Sequence, residues 1–284
     1  MTLCIAAINE GASAIITVSD FMVSNQWTST QTRTVKAQWV PNAPTWVQMY
    51  AGEPTIDERV SEFVRRRITR GVPPDFDMVR GSFEEGYKAE LCRRIEMEIL
   101  GPLGMSREDF LEHGRAYLGE PEFLRWLGKV EEATLGTTFL VAGVEPTGVV
   151  RMFSIENLGV VRYWDRLGYH AIGSGDFLAI ASLHRTFKFG LSLADTIYRL
   201  CEAKFLGEAA YGVGTHTMVE VVYANGACQI MWQQDVEALR SIWLQHGIPP
   251  VPEAARTEIG QRLKIADGWG KEPDDEDYRS GGES

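Results

Sequence analysis

The chain has 284 residues, 44% of them hydrophobic and 24% charged, with a formal net charge of −11, which suits one large domain carrying an insertion and a tail. It holds no run of eighteen apolar residues, and its first residues have neither the basic stretch nor the cleavage site of a signal peptide, so a cytoplasmic protein without membrane contact is expected. The acidic balance disfavours a nucleic-acid partner, because phosphate contacts need clustered Lys and Arg.

Residues 3–8 (LCIAAI) and 14–19 (AIITVS) are apolar runs separated by NEGAS, a hairpin-turn composition, and predict an antiparallel strand pair. A second pair follows, TRTVKAQWV and TWVQMYAG around PNAP. From Thr55 the apolar period turns helical in TIDERVSEFVRRRI, with Thr55 and Glu58 at capping-box spacing. Arg65, Arg66, Arg67 and Arg70 read as the solvated face of that helix. A second amphipathic helix is predicted over 82–100, where Phe83, Tyr87, Leu91, Ile95 and Ile99 recur every four residues. Residues 101–133 hold two shorter helical stretches split by LGEP and read as an insertion packed on one face.

Strand patterns resume with GTTFLVAGV, GVVRMFSIE, GVVRYWD and YHAIGSG. Two helices then start, one after Asp176, read as its cap, and one after Ser192, with Asp195 three residues on. A last hairpin turns at ANG in THTMVEVVYANGACQIMW. Clustered hairpins, rather than alternating strand and helix, predict antiparallel sheets covered by helices. The fold class expected is therefore α+β, a four-layer αββα sandwich spanning residues 2–243 with its insertion at about 101–133. Residues 244–284 read as a C-terminal extension ending in a disordered acidic tail.

Cys4, Cys92, Cys201 and Cys228 lie far apart with no C-x-x-C spacing and read as reduced core residues, so zinc is not implied and no metal or other cofactor is expected. His113, His170, His184, His216 and His246 show no metal-ligand spacing and no local serine-triad motif.

Taken together, these stretches resemble the proteasome β-subunit and HslV family of N-terminal nucleophile (Ntn) hydrolases. The positions that carry the resemblance are Thr2 opening the first strand, Asp20 in TVSD, Lys36 in TVKAQW sixteen residues later, Gly52 in MYAGEPTID, and Ser174 in AIGSGDFLAIASL. The resemblance covers about residues 2–65 and 135–235. It implies catalytic roles for Thr2, Asp20, Lys36, Gly52 and Ser174, and a substrate-binding role for Ser24. It sets Glu208, after a slip of about one residue, where the family has an acid near its last helix-to-strand loop. Three departures stand out. Asp20 is followed by Phe21 and Met22 in place of Asp-x-Arg, Pro54 removes an N–H that family members offer to extended substrates, and GEAAYGVGTH fits the last loop poorly.

The chemistry implied is attack by the Thr2 hydroxyl once Met1 is removed, with the freed α-amine as base because its pKa lies near roughly 7.7–8.0. Lys36 would act as a cation that keeps this amine neutral, Asp20 would orient Lys36, and the Gly52 N–H would donate to the oxyanion. Strand alternation puts Cys4 on the face of Thr2, but without the free amine. The leading reading is a threonine peptidase forming a ring or smaller homo-oligomer. An inactive scaffold subunit and a hydrolase of small-molecule amides on the same fold are the alternatives.

Overall fold

The computed structural model describes residues 2–9, 14–24, 29–31, 36–247 and 252–257. The chain divides into two units, Met1–Trp243 and Leu244–Ser284. Two five-stranded antiparallel sheets dominate the first. One has the order β10-β1-β2-β11-β12, built from β1 (Leu3–Ile8), β2 (Ala14–Asp20), β10 (Tyr169–Gly173), β11 (Thr217–Tyr223) and β12 (Cys228–Met231). The other has the order β5-β6-β7-β8-β9, from β5 (Ala37–Val40), β6 (Ala43–Ala51), β7 (Thr138–Val144), β8 (Val150–Glu156) and β9 (Val160–Tyr163). A two-stranded hairpin of β3 (Met22–Ser24) and β4 (Ser29–Gln31) stands apart from both.

Period-two alternation sorts each strand between two apolar layers. In the first sheet Leu3, Ile5, Ile16, Val18, Val219 and Val221 pack beneath α5 (Asp176–Thr186), α6 (Leu193–Gly207) and α7 (Gln233–His246). Cys4, Ala6 and Ile15 point the other way, into a layer shared with Val47, Met49, Leu140 and Ala142 of the second sheet. The far face of that second sheet is covered by α1 (Pro54–Arg67) and α2 (Phe76–Arg94), whose Val60, Val64, Phe83 and Tyr87 meet Trp46, Phe139 and Phe153. The α+β, four-layer αββα order expected from the hairpins is the one observed. The insertion folds as α3 (Arg107–Leu118) and α4 (Glu120–Glu131), stacked through Phe110 and Phe123 at 5.0 Å.

Several local expectations need correction. The first helix is entered from Glu53 with Pro54 in its first turn, not through a Thr55 capping box: the Thr55 hydroxyl donates back to Glu53. Proline suits that position because its missing N–H would have no helical partner there. The second helix begins at Phe76, six residues before the start expected at 82, because the Asp75 side chain caps it by accepting from the Met78 N–H at 2.8 Å. It then passes into a π-helical turn over Ile95–Leu100. A four-residue repeat drifts about 40° per step round an α-helix, and the wider turn brings Ile95 and Ile99 back toward the core. Gly175, not Asp176, is the cap residue of α5. Ser192 does cap α6, accepting from Asp195 N–H at 3.2 Å. α7 went unread, since its polar sequence shows only a thin stripe of Val236, Leu239 and Trp243.

In the second unit the described residues form the end of α7 and a helical turn over 253–257, where Thr257 donates to the Glu253 carbonyl at 3.0 Å. Most of the expected acidic tail, residues 258–284, falls outside the described residues. Among the described residues no helix is long and apolar enough to cross a membrane.

Candidate active site

β1 lies in the interior of its sheet, paired with β10 on one side (Leu3 opposite Gly173) and with β2 on the other (Cys4 opposite Ser19). Thr2 therefore enters a sheet that is already complete on both flanks, and it is 1% exposed. Its hydroxyl donates to Asp20 Oδ1 at the end of β2. Its carbonyl oxygen accepts from the Ser174 hydroxyl at 3.4 Å. Gly173, with φ of 109°, makes room for this: a Cβ there would lie 2.1 Å from the Thr2 carbonyl oxygen.

Asp20 is fully buried. Burial pushes its carboxyl above the usual range, while the Thr2 hydroxyl, the Gly214 N–H, Lys204 and Lys36 pull it back down. Its second oxygen accepts from the Gly214 N–H at 2.9 Å. The two oxygens of Asp20 thus go to Thr2 and Gly214, and Lys36 acts on it through its charge. The cause is the strand pleat, which sets Asp20 on the helix-facing side with Ile16 and Val18.

Lys36, 2% exposed, enters from the other sheet. Its Nζ lies over the Tyr50 ring, 4.3 Å from the centroid. Burial lowers its pKa from the ordinary lysine value, opposed by the fields of Cys4, Asp20 and Asp57. One of those fields comes from the α1 residue Asp57, whose own carboxyl burial raises to about 6 although it accepts from Gln48 Nε2 at 2.9 Å. The Cys4 thiol donates to the Tyr50 carbonyl at 3.7 Å, which sets the end of β6 against the start of β1. Cys4 itself is fully buried and its pKa is pushed up to about 12, chiefly by burial, so it is held as a thiol.

Gly52 follows β6 with φ of 139°, and a Cβ would come within 2.5 Å of the Gly136 carbonyl oxygen and the Thr137 hydroxyl. Only glycine fits the turn, and the next residue, Glu53, donates its N–H to that Thr137 hydroxyl at 3.0 Å. Ser24 pairs through its backbone with Ser29, and its side chain lies outside the described residues. Glu208 reaches the site indirectly: it accepts from Lys204 Nζ at 2.7 Å, and Lys204 also donates to the Gly214 carbonyl at 2.6 Å.

Lys204 and Asp57 are the charged neighbours that the sequence reading missed. For Lys204 a signal existed, because Leu193, Ile197, Leu200, Lys204 and Gly207 share one helical stripe and a lysine at its centre must be buried. Among the described residues no group of three or more His, Cys, Asp and Glu could hold a metal ion. A groove of about 580 Å³ lined by Leu91, Leu111, Leu127 and Val130 lies between α2 and the insertion, and Thr2 does not line it.

No protein-family model matches the sequence, and a comparison with curated proteins finds no match. Among solved structures the chain is similar to an Anbu (Gly-1) mutant from Hyphomicrobium sp. strain MC1, with a TM-score of 0.62 and 12% sequence identity over 92% of this chain and 97% of that one. At this identity the likeness bears on the fold alone, and it agrees with the αββα sandwich of two antiparallel sheets described above. The resemblance to the proteasome β-subunit and HslV family is corrected as well, since the solved structure reported is an Anbu protein and no family model places the chain in that family.

Proposed function

We propose that the chain is an N-terminal threonine amide hydrolase whose substrate is a peptide. The observation that carries this reading is the Thr2 hydroxyl held on the buried carboxylate of Asp20, with the Lys36 ammonium as a buried neighbour. In this reading removal of Met1 frees the Thr2 α-amine. Thr2 Oγ1 attacks the amide carbon, its proton passes to the α-amine, and the same proton then goes to the departing amine. Water hydrolyses the resulting ester. Lys36, as a cation, keeps the α-amine neutral; burial works against that charge, and the carboxylates of Asp20 and Asp57 support it. The Gly52 N–H stabilises the oxyanion, a contribution of roughly 3 kcal/mol in comparable sites, and Ser174 fixes the carbonyl of the nucleophile's own residue. Cys4, held as a thiol, takes no part.

Pro54 favours a second reading, a hydrolase of small-molecule amides on the same fold, because it offers no N–H to an extended peptide. Intact mass spectrometry before and after treatment with a β-lactone tests the shared chemistry. The expected result is a chain lacking Met1 that gains one adduct on Thr2. Retained Met1 with no adduct would leave an inactive scaffold as the better reading. Comparing cleavage of a peptide library with cleavage of acylated amines then separates the two substrate classes.

The chain is further proposed to act as a cytoplasmic homo-oligomer. The support is the exposed apolar surface of Phe177, Phe189 and Tyr211, which are 78%, 71% and 69% exposed. Light scattering at micromolar concentration is expected to give a multiple of the chain mass, and a monomer would remove this part of the proposal.

A further inference from the structure

Lysines are rarely buried without a partner, and 0% of the Lys204 side chain is exposed. It lies on α6, whose Leu200, Cys201, Ala203 and Phe205 belong to the buried core. Its Nζ donates to Glu208 Oε1 at 2.7 Å and to the Gly214 carbonyl at 2.6 Å. Glu208 is held in turn by a bidentate contact from Arg240 of α7, at 2.7 and 2.8 Å. Arg240 lies over the Phe205 ring, 4.2 Å from its centroid, and also donates to the Thr215 carbonyl at 3.2 Å.

Gly214 joins this cluster to the nucleophile. The residue that accepts from Lys204 through its carbonyl donates through its N–H to Asp20 Oδ2, and Asp20 Oδ1 accepts from Thr2. A glycine in a loop has many conformations open to it, so something must select the one that aims this N–H at a buried carboxylate. We propose that Lys204 is a positioning residue: by gripping the Gly214 carbonyl it aims the Gly214 N–H at Asp20, and with its charge it holds Asp20 as the ionised acceptor for the Thr2 hydroxyl. Glu208 keeps Lys204 charged, because an ammonium buried this deeply would otherwise lose its proton, and Arg240 holds Glu208 in place although its own charge works against the ammonium. Asp20 is thus flanked by two buried cations, Lys36 from the second sheet and Lys204 from the helical layer, with the un-ionised Cys4 thiol as its other titratable neighbour.

The significance for catalysis rests on the proposed threonine chemistry, whereas the link from Lys204 to Asp20 can be measured without it. In the chain carrying ¹³C-labelled aspartate carboxyls, the Asp20 resonance, assigned with Asp20→Asn, is titrated in the wild type and in Lys204→Met. The expected result is an upward shift of the Asp20 midpoint by about one pH unit, a tenfold change in proton affinity, with β-lactone labelling of Thr2 slowed about tenfold. An unchanged midpoint would overturn the inference, since a lysine that merely fills space would leave it where it was. If Lys204→Met does not fold, the Gly214 amide proton of the wild type decides: its chemical shift is expected to follow the Asp20 midpoint, and an amide shift indifferent to pH would reject the link. Absence of Thr2 labelling in the wild type would count against the proposed hydrolase alone, and the carboxyl titration would still decide the role of Lys204.

Discussion

Thr2→Ala is expected to take up no β-lactone and to hydrolyse amides no faster than buffer, whereas Lys36→Met is expected to form the same adduct about 10²–10⁴-fold more slowly. The two variants differ because one removes the attacking oxygen and the other only a group that adjusts the proton transfer. Thr2→Ala also deprives Asp20 Oδ1 of its donor in a fully buried place, an effect of about 1–3 kcal/mol on stability that leaves the Gly214 N–H on the other oxygen. Thermal unfolding must therefore accompany the kinetics, so that lost activity is not confused with a lost fold. Methionine keeps the length of Lys36 against the Tyr50 ring while removing the charge. Hydrolysis that survives Thr2→Ala would sink the proposed mechanism. Full-speed acylation in Lys36→Met would remove Lys36 from it.

The second large effect lies outside the site. Glu220 of β11 stands opposite Thr17 of β2 and Ile230 of β12, 7% exposed, and among the described residues its carboxyl accepts a 3.4 Å contact from the Thr17 hydroxyl. Burial outweighs that bond and raises its pKa from 4.5 to about 7. Between those values the folded chain keeps a proton that the unfolded chain has released, so stability falls as pH rises through the window and the whole penalty is present above pH 7. A displacement of this size corresponds to about 3 kcal/mol. Glu220→Gln, neutral at every pH, is expected to match the wild type near pH 4 and to exceed it by up to about 3 kcal/mol at pH 8. Denaturant melts at the two pH values check this. Equal stability of the two proteins at both pH values would show that Glu220 is solvated or paired in solution.

The sandwich was legible because its strands announce themselves by alternation and its hairpins by turn composition. NEGAS, PNAP and ANG each separate a pair of strands that do pair. Thr2, Asp20 and Ser174 were legible as a set only through the order of motifs along the chain, and they do meet. What stayed hidden depends on direction and depth. No pattern in TVSD says that Asp20 turns toward Gly214, although counting back from Asp20 to Val18 and Ile16 would have put it on the helical side. Lys204 could have been found as a charge inside an apolar stripe, but Asp57 could not. Its neighbours Gln48 and Gln38 come from strands that only the folded sheet brings beneath α1.

The hydrogen bonds that define the site span 18 residues from Thr2 to Asp20, 172 from Thr2 to Ser174 and 194 from Asp20 to Gly214. A ribosome adding about 5–20 residues per second needs many seconds after making β1 before it supplies β10, and longer still before it supplies the loop that carries Gly214. During that interval no partner exists on one flank of β1, and Asp20 lacks the second of its two donors. The segment that carries Thr2 therefore stays without its full set of partners while most of the chain is being made. A chain cut short before Gly214 carries Thr2 and Lys36 without the contact that completes Asp20.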